Sequence, residues 1–186
     1  MESSPREELL QRVLVEVAQN GLGDRSLRDL AGAVGTSHRM LIYHFGSRDG
    51  LVAAIVEAME AMQRHALASI AAAPDTATAG DVVRTQWDVL TSAEVRPFVQ
   101  LFFEAVAYAS RHGGAHFTTP WLVSASEASE QLGLTADPVA ARLGVAVMRG
   151  LLIDVITGDD PVAARAALEL FITAMDAPRP PVRKRR

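Results

Sequence analysis

Residues 27–45 read LRDLAGAVGTSHRMLIYHF, and this stretch decides the fold of the chain. Leu27, Leu30 and Val34 repeat at helical spacing, which predicts a short helix with one apolar side facing a core. Gly35 then supplies the positive φ of a sharp turn at little steric cost. The stretch therefore predicts two short helices joined by a turn at Gly35.

The second of these helices is expected to run to about Phe45 and to have two different sides. Thr36 and Ser37 can cap it, because their hydroxyl groups accept hydrogen bonds from its first amides. Met40, Leu41 and Phe45 can point inward. The open side then carries hydrogen-bond donors at Ser37, His38, Arg39, Tyr43 and His44. Such a face suits the major groove of DNA, where arginine bonds to guanine and other donors reach phosphates.

The residues after this helix extend the pattern. Gly46 is expected to end the helix, and Ser47 to begin the next one with Arg48 in its first turn. A cation at that position opposes the helix dipole, whereas a bound phosphate there would be favourable. The pattern is typical of a helix-turn-helix unit that reads DNA. The alternative is an ordinary pair of packed helices with a solvated polar face.

Residues 5–60 resemble the TetR family of bacterial transcriptional regulators. The resemblance is carried by SLRDLAGAVGTS and LIYHFGSRDGLVAAIVEAM, which include the aromatic and basic pattern of residues 43–48. It implies that phosphates are held by Ser26, Thr36, Tyr43, His44 and Arg48. It also implies that bases are read by Arg28, Ser37, His38 and Arg39. Position 36 departs from the pattern, since the family more often has a small aliphatic residue there.

Composition limits the classes of protein that this chain can be. Its 186 residues are enough for one substantial domain or two small ones, and the absence of cysteine excludes disulfides and thiolate metal sites. No apolar run has membrane-spanning length and the amino end lacks signal-peptide features, so we expect a cytoplasmic protein with no membrane partner. The net charge of -4 argues against nonspecific coating of nucleic acid.

Helix-start signals recur along the chain. Ser4, Pro5 and Glu7 predict a capping box for the first helix, and a long helix is expected from Ser47 to about Ala72. Further helices are predicted over residues 80–92, 94–112, 118–132, 138–157 and 161–176, and no segment has the period-two alternation of a strand.

The predicted fold is therefore all-α, with about nine helices. A three-helix helix-turn-helix DNA-binding domain is expected over residues 1–50, and a helical ligand-binding and dimerisation domain over residues 51–176. The basic tail, residues 177–186, has five cations and two prolines in its last eight residues and is expected to be disordered. Contact of the tail with DNA phosphates is the alternative.

Seven of the ten aromatic residues fall between Trp87 and Trp121. Each of them can fill a core, but as a group they predict a pocket for an apolar or aromatic small molecule. The predicted ligand-binding residues are Trp87, Phe98, Phe102, Tyr108, His112, Phe117 and Trp121, with Gln86 and His116 as further polar anchors. No metal site is expected, because two glycines between His112 and His116 break the helix that would align them. No cofactor is expected either.

The last two predicted helices are too apolar to have only one buried side. Their apolar and small residues are Leu143, Gly144, Val147, Gly150, Leu151 and Val155, then Ala164, Leu168, Phe171, Ile172 and Met175. Pairing of both helices with a second copy predicts a homodimer with a four-helix interface. The alternative is burial within one chain.

Taken together, these features predict a ligand-responsive DNA-binding transcriptional regulator. It is expected to act as a repressor that binds a palindromic double-stranded DNA operator as a homodimer and is released by a small-molecule effector. The alternative is a helical small-molecule binding protein without DNA-binding activity. The sequence has none of the phosphate loops, nucleophile elbows or zinc-protease motifs of common enzymes, so we predict that it is not an enzyme.

Overall fold

A computed structural model describes residues 4–73, 78–112, 119–133, 137–158 and 160–176. Over these ranges the chain is helical and has no strand, which confirms the predicted all-α fold. The helices are α1 (Pro5–Asn20), α2 (Leu27–Ala33), α3 (His38–Phe45), α4 (Arg48–Ala71), α5 (Ala79–Thr91), α6 (Arg96–Arg111), α7 (Thr119–Gln131), α8 (Pro138–Thr157) and α9 (Pro161–Asp176). None of the described helices combines the length and the apolar character needed to cross a bilayer.

Helices α2 and α3 form the expected pair around the turn. Ser26 caps α2 and Ser37 caps α3, where its hydroxyl accepts a hydrogen bond from the Met40 amide at 3.2 Å. Gly35 between them has a φ of 65°, a conformation that side-chain-bearing residues rarely adopt. Ala31 is 2% exposed, so its small side chain lies in the packed interior. The predicted helix-turn-helix unit is therefore present.

One inward-facing residue was predicted wrongly. Leu41 and Phe45 of α3 are buried, with exposed fractions of 0% and 7%, but Met40 is 40% exposed. The buried stripe of this eight-residue helix is narrow, because it consists of Leu41 and Phe45, which are four residues apart and share one side. Met40 therefore lies beside the stripe and contributes surface to the open side of α3.

The amino-terminal helices do not close their core alone. Buried residues of α1 to α4 form one cluster that continues into α6 through Leu101, Phe102 and Ala105. A second cluster joins α5, α6, α8 and α9 and includes Trp87, Leu152, Leu168 and Ile172. Helix α6 thus belongs to both clusters, and the division at residue 50 stays a prediction.

Helices α8 and α9 are apolar on two sides, as their composition suggested. One side is buried within the chain and includes Leu152, Val155, Leu168 and Ile172. The other side is exposed and carries Val139, Leu143, Ile153, Val162 and Leu170. Burial within one chain is therefore confirmed for one side, and pairing of the other side with a second copy stays a prediction.

Gly50 generates a prediction about the corner between α3 and α4. A Cβ added at Gly50 would overlap the carbonyl oxygen of Phe45, which is backbone and cannot move aside cheaply, whereas a Cβ at Gly32 of α2 meets nothing within 4 Å. Gly50→Ala is expected to lower the free energy of unfolding by about 1–3 kcal/mol through overpacking. The matched control Gly32→Ala is expected to raise it by roughly 0.5–1 kcal/mol, since alanine favours helix more than glycine does. Urea unfolding followed by circular dichroism measures both changes, and equal stability of the two variants would contradict the described corner.

Candidate nucleic-acid interface and ligand cavity

The outward side of α3 carries polar side chains in contact with solvent. Ser37, His38 and Arg39 are exposed at its amino end, and Tyr43 is 78% exposed near its carboxyl end. The Tyr43 ring meets the half-buried His44 ring edge-on, with centroids 4.9 Å apart. Hydrogen-bond donors therefore line one open side of a two-turn helix.

Helix α1 holds this helix pair from behind. Arg12 donates from Nη1 to the Val34 carbonyl at 3.1 Å, at the end of α2. Arg6 donates from Nε to the His44 carbonyl at 3.4 Å, and its guanidinium lies 5.3 Å from the centroid of the Phe45 ring. Two arginines from one helix thus fix the turn and the carboxyl end of α3.

The predicted phosphate contacts at Ser26 and Thr36 lie in different settings. The Ser26 hydroxyl donates to the Asp29 carboxylate at 2.6 Å and accepts from the Asp29 amide at 3.2 Å. Hydrogen bonds from the hydroxyl and then the backbone of Ser26 lower the pKa of the Asp29 carboxyl. Thr36 is half-buried at the turn, whereas Arg28 is exposed on α2. Ser26 is thus engaged in capping α2, and Arg28 presents its side chain to solvent.

Arg48 lies against the protein and not on the open side of α3. Its guanidinium donates from Nε to the Arg25 carbonyl at 3.0 Å and from Nη2 to the Gly23 carbonyl. The same guanidinium lies 4.5 Å from the centroid of the Tyr108 ring. The structure therefore gives Arg48 internal partners that its predicted phosphate contact would compete with.

Helix α6 also forms hydrogen bonds to the loop between α1 and α2. The Glu104 carboxylate accepts hydrogen bonds from the backbone amides of Leu22, at 3.0 Å, and of Gly23. One turn further along α6, Tyr108 donates its hydroxyl to Asp49 at 2.7 Å. We call Glu104, Tyr108, Arg48 and Asp49 the α6 clamp. It joins α6 to the loop before α2 and to the first turn of α4.

A cavity of about 450 Å³ lies between α4, α5, α7, α8 and α9. This volume falls within the range of small-molecule sites, roughly 300–1,000 Å³. Its lining includes Glu60, Gln63 and Leu67 of α4, Val82 and Gln86 of α5, Trp121, Ser124 and Ala128 of α7, Val145 and Met148 of α8, and Leu168 and Phe171 of α9. The lining is thus mainly apolar with a few polar side chains.

Four buried polar atoms of the lining residues have no hydrogen-bond partner within the described part of the chain. They are Oε1 of Glu60, Oε1 of Gln63, Oε1 of Gln86 and Nε1 of Trp121. Burial raises the pKa of the Glu60 carboxyl, and this effect outweighs the opposing attraction of Arg64 and Arg149. Leaving a buried polar group unpaired costs about 1–3 kcal/mol, so these atoms mark positions where a ligand would gain binding energy.

Arg149 of α8 packs against the Trp121 ring. Its guanidinium is 4.7 Å from the centroid of the Trp121 ring and 5.8 Å from that of Phe102. Burial lowers the pKa of Arg149, and the charge of Glu60 acts in the opposite direction. The two rings are themselves in contact, with centroids 5.4 Å apart. The cavity wall at Trp121 is therefore connected to α6 through Phe102.

The structure separates the aromatic residues predicted to bind a ligand. Trp121 lines the cavity, as does the predicted anchor Gln86. The other described residues lie away from the cavity. Trp87 belongs to the second core cluster, and Phe98 and Phe102 pack in the first. Tyr108 belongs to the α6 clamp, where the His112 ring stacks on it. Phe117 and His116 fall outside the described residues. Among the described residues, no group of three or more His, Asp or Glu side chains is placed to hold a metal ion.

Sequence reasoning missed the polar side chains that α4 contributes to the cavity. Glu60 and Gln63 are three residues apart, so they share one side of the helix. That side adjoins the stripe of Leu51, Ile55 and Met59. Two polar residues beside a buried apolar stripe could have indicated that α4 lines a cavity. The walls from α8 and α9 gave no signal, because apolar cavity lining and apolar core look alike in a sequence.

The amino-terminal part of the chain matches a known family. Residues 14–55 match the family model described as bacterial regulatory proteins, tetR family. Comparison with curated protein sequences gives no match. The match agrees with the prediction that the chain is not an enzyme, since the model describes regulatory proteins.

Solved structures share the fold over nearly the whole chain. A TetR-family regulator from Rhodococcus sp. has a TM-score of 0.70 and 22% sequence identity, covering 92% of this chain and 96% of its own. A transcriptional regulator from Rhodococcus sp. RHA1 has a TM-score of 0.73 and 19% identity, covering 95% and 97%. The multidrug binding protein EbrR, solved with ethidium, has a TM-score of 0.66 and 21% identity, covering 91% and 99%. Residues 14–55 therefore match the family model of the tetR bacterial regulatory proteins, and the described chain shares the fold of solved TetR-family regulators.

Proposed function

We propose that this protein is a ligand-responsive transcriptional repressor that binds a palindromic DNA operator as a homodimer. The observation that carries the proposal is the open side of α3, which presents His38, Arg39 and Tyr43 on a helix-turn-helix unit of the TetR type. A small molecule bound in the cavity is proposed to release the operator. The role of each named residue is part of the proposal.

The positions of the exposed side chains suit the two kinds of contact that DNA offers. Arg39, near the amino end of α3, can form two hydrogen bonds to guanine in the major groove. Tyr43 and Ser37 can donate to phosphates, which position a protein without reading sequence. Arg28 on α2 adds an exposed cation beside them. Residues 1–50 carry six arginines and seven acidic residues, so the positive charge that faces DNA is confined to this surface.

The exposed apolar side of α8 and α9 supports a homodimer. On α8, Val139, Leu143, Gly150 and Ile153 are all exposed and follow the spacing of one helix side. Val162 and Leu170 extend the apolar surface on α9, where they are 76% and 73% exposed. Large exposed apolar patches mark interfaces in soluble proteins. A twofold dimer would cover this surface and place two α3 helices for half-sites about 34 Å apart.

The cavity supports control by a small molecule. It is lined by α4, α5, α7, α8 and α9 and holds unpaired polar atoms beside apolar side chains. EbrR, which shares the fold, has been solved with ethidium and with imidazole. This likeness supports a ligand-binding role for the corresponding part of the present chain.

A physical route connects the cavity to the DNA-binding helices. Trp121 in the cavity wall contacts Phe102 of α6, and Glu104 lies two residues further along the same helix. Glu104 holds the backbone amides of Leu22 and Gly23, directly before α2. A ligand that moves Trp121 would therefore act on the α6 clamp. By linkage, a ligand that weakens DNA binding must itself bind more weakly to the DNA-bound form.

The first prediction for this function concerns base reading by α3. DNA selected from a random library by the full-length protein is expected to bind with salt-sensitive affinity in fluorescence anisotropy. Arg39→Ala is expected to reduce discrimination at one base pair by about 1–3 kcal/mol. Tyr43→Phe is expected to lower the affinity for all DNA sequences alike. The control Arg96→Ala, at the start of α6, is expected to change neither the affinity nor the base discrimination. Failure to select any DNA sequence would leave only the small-molecule binding protein as an explanation.

The second prediction concerns the dimer. The full-length protein is expected to sediment at about twice its chain mass of 19.9 kDa. Leu143→Glu combined with Leu170→Glu is expected to give monomers, because carboxylates would be buried unpaired at the interface. The control Val123→Glu changes an equally apolar residue, 48% exposed on α7, and is expected to leave the dimer intact. A dimer that survives the double substitution would place the interface elsewhere.

The third prediction concerns the α6 clamp. Glu104→Ala removes the acceptor of the Leu22 and Gly23 amides, so these amides are expected to exchange with solvent about tenfold faster, as the loss of a charged hydrogen bond implies. Hydrogen exchange measured by mass spectrometry on the α1–α2 loop reports this change. The control Glu130→Ala, on the exposed surface of α7, is expected to leave the loop unaffected. Unchanged exchange in Glu104→Ala would show that the clamp does not restrain the loop.

A further inference from the structure

The cavity has two chemically different ends. Glu60, Gln63, Gln86 and Trp121 contribute polar atoms to the lining at one end. Leu67, Val82, Ala128 and Leu132 line the other end with neighbours in a small apolar cluster. The polar lining residues near that end include Ser129 and Asp137, which hydrogen-bond to backbone groups of α7 and α8. Glu60 and Leu67 are seven residues apart on α4, a distance of about 10 Å along a helix. A ligand that fills the cavity therefore meets polar groups at its head and apolar groups along its body.

The unpaired atoms at the polar end include both donors and acceptors. The Trp121 indole N–H can only donate, whereas a Glu60 carboxylate oxygen accepts. Gln63 and Gln86 each carry an amide, which offers both roles, and Gln86 is only 8% exposed. A complementary head group must therefore both accept and donate hydrogen bonds.

The charges near the polar end are balanced. Glu60 interacts electrostatically with the cations Arg149 and Arg64 and with the anion Glu57. A cationic head group would gain from Glu60 but would be repelled by Arg149, whose guanidinium lies 4.7 Å from the centroid of the Trp121 ring. An anionic head group would be repelled by Glu60. Neither sign of charge is favoured by the surrounding side chains.

We infer that the cavity binds an uncharged amphipathic molecule with a carboxamide-like head group and an apolar body. The head group bonds to Glu60, Gln86 and Trp121, and the body extends toward Leu67 and Leu132. This inference rests on the proposed effector site and specifies the chemical class of its ligand.

Three probes with one alkyl chain and different head groups test the inference. Octanamide is neutral, octylammonium is a cation and octanoate is an anion at pH 7. Isothermal titration calorimetry of the full-length protein measures each affinity directly. Octanamide is expected to bind at least about tenfold more tightly than either charged probe, since each charged head group loses its water and meets a like charge, Arg149 for the cation and Glu60 for the anion.

Substitutions at the polar end separate the head-group contacts from folding. Glu60→Gln keeps an acceptor oxygen, so octanamide affinity is expected to change less than about threefold, whereas Glu60→Leu is expected to lower it about tenfold. Trp121→Phe removes one donor and is expected to lower the affinity about fivefold. The control Glu130→Gln, on the exposed side of α7, is expected to have no effect. If Glu60→Leu fails to fold, the other two variants still decide the outcome.

Two results would overturn the inference. Tighter binding of octylammonium, lost in Glu60→Gln, would show a site for cations, and the absence of measurable octanamide binding would exclude the neutral class. DNA anisotropy with the same protein is recorded separately. Operator binding without octanamide binding would reject the ligand class and keep the DNA-binding function. Octanamide binding that leaves operator affinity unchanged would keep the ligand class and reject its role as effector.

Discussion

The burial of one narrow side of α3 is the interaction on which the molecule's proposed function depends. Helix α3 has eight residues, and isolated helices shorter than about 12–15 residues are only marginally stable in water. Its position therefore comes from packing, through Leu41 and Phe45, and from the close approach of Gly50 to the Phe45 carbonyl. Because a single side is buried, the opposite side is left open with its polar groups. The same contacts that fold the domain thus create its candidate DNA-reading surface.

Helix α6 has a second, connecting role. It completes the amino-terminal core, takes part in the second core and holds the loop before α2 through Glu104. Its Phe102 contacts Trp121 in the wall of the cavity. Within the described residues, α6 therefore connects the cavity wall to the loop before the helix-turn-helix unit. Energetic coupling needs two arrangements with different ligand affinities, and a helix shared between two cores is suited to provide them.

The fold could be predicted from the sequence largely because its signals are local. Capping boxes at Ser4 and Ser26, the turn at Gly35 and helical spacing each depend on residues within one turn of each other. A pocket was predicted, but apart from Trp121 and Gln86 its lining could not be, since it is formed by five helices that are distant in the chain. The internal partners of Arg48 were missed for the same reason, because Gly23 and Tyr108 become its neighbours only in the folded chain. Local chemistry therefore predicted the elements and the open face, and long-range packing determined which polar residues meet.

The most direct measurement of DNA reading by paired α3 helices is hydroxyl-radical footprinting of the full-length protein on DNA that it has selected. A twofold dimer with exposed α3 helices predicts two protected segments on one face of the duplex, with centres about one helical turn or a multiple of it apart. The two segments should have related, inverted sequences. A single protected segment, or protection without any sequence relation between the segments, would contradict the arrangement proposed for this protein.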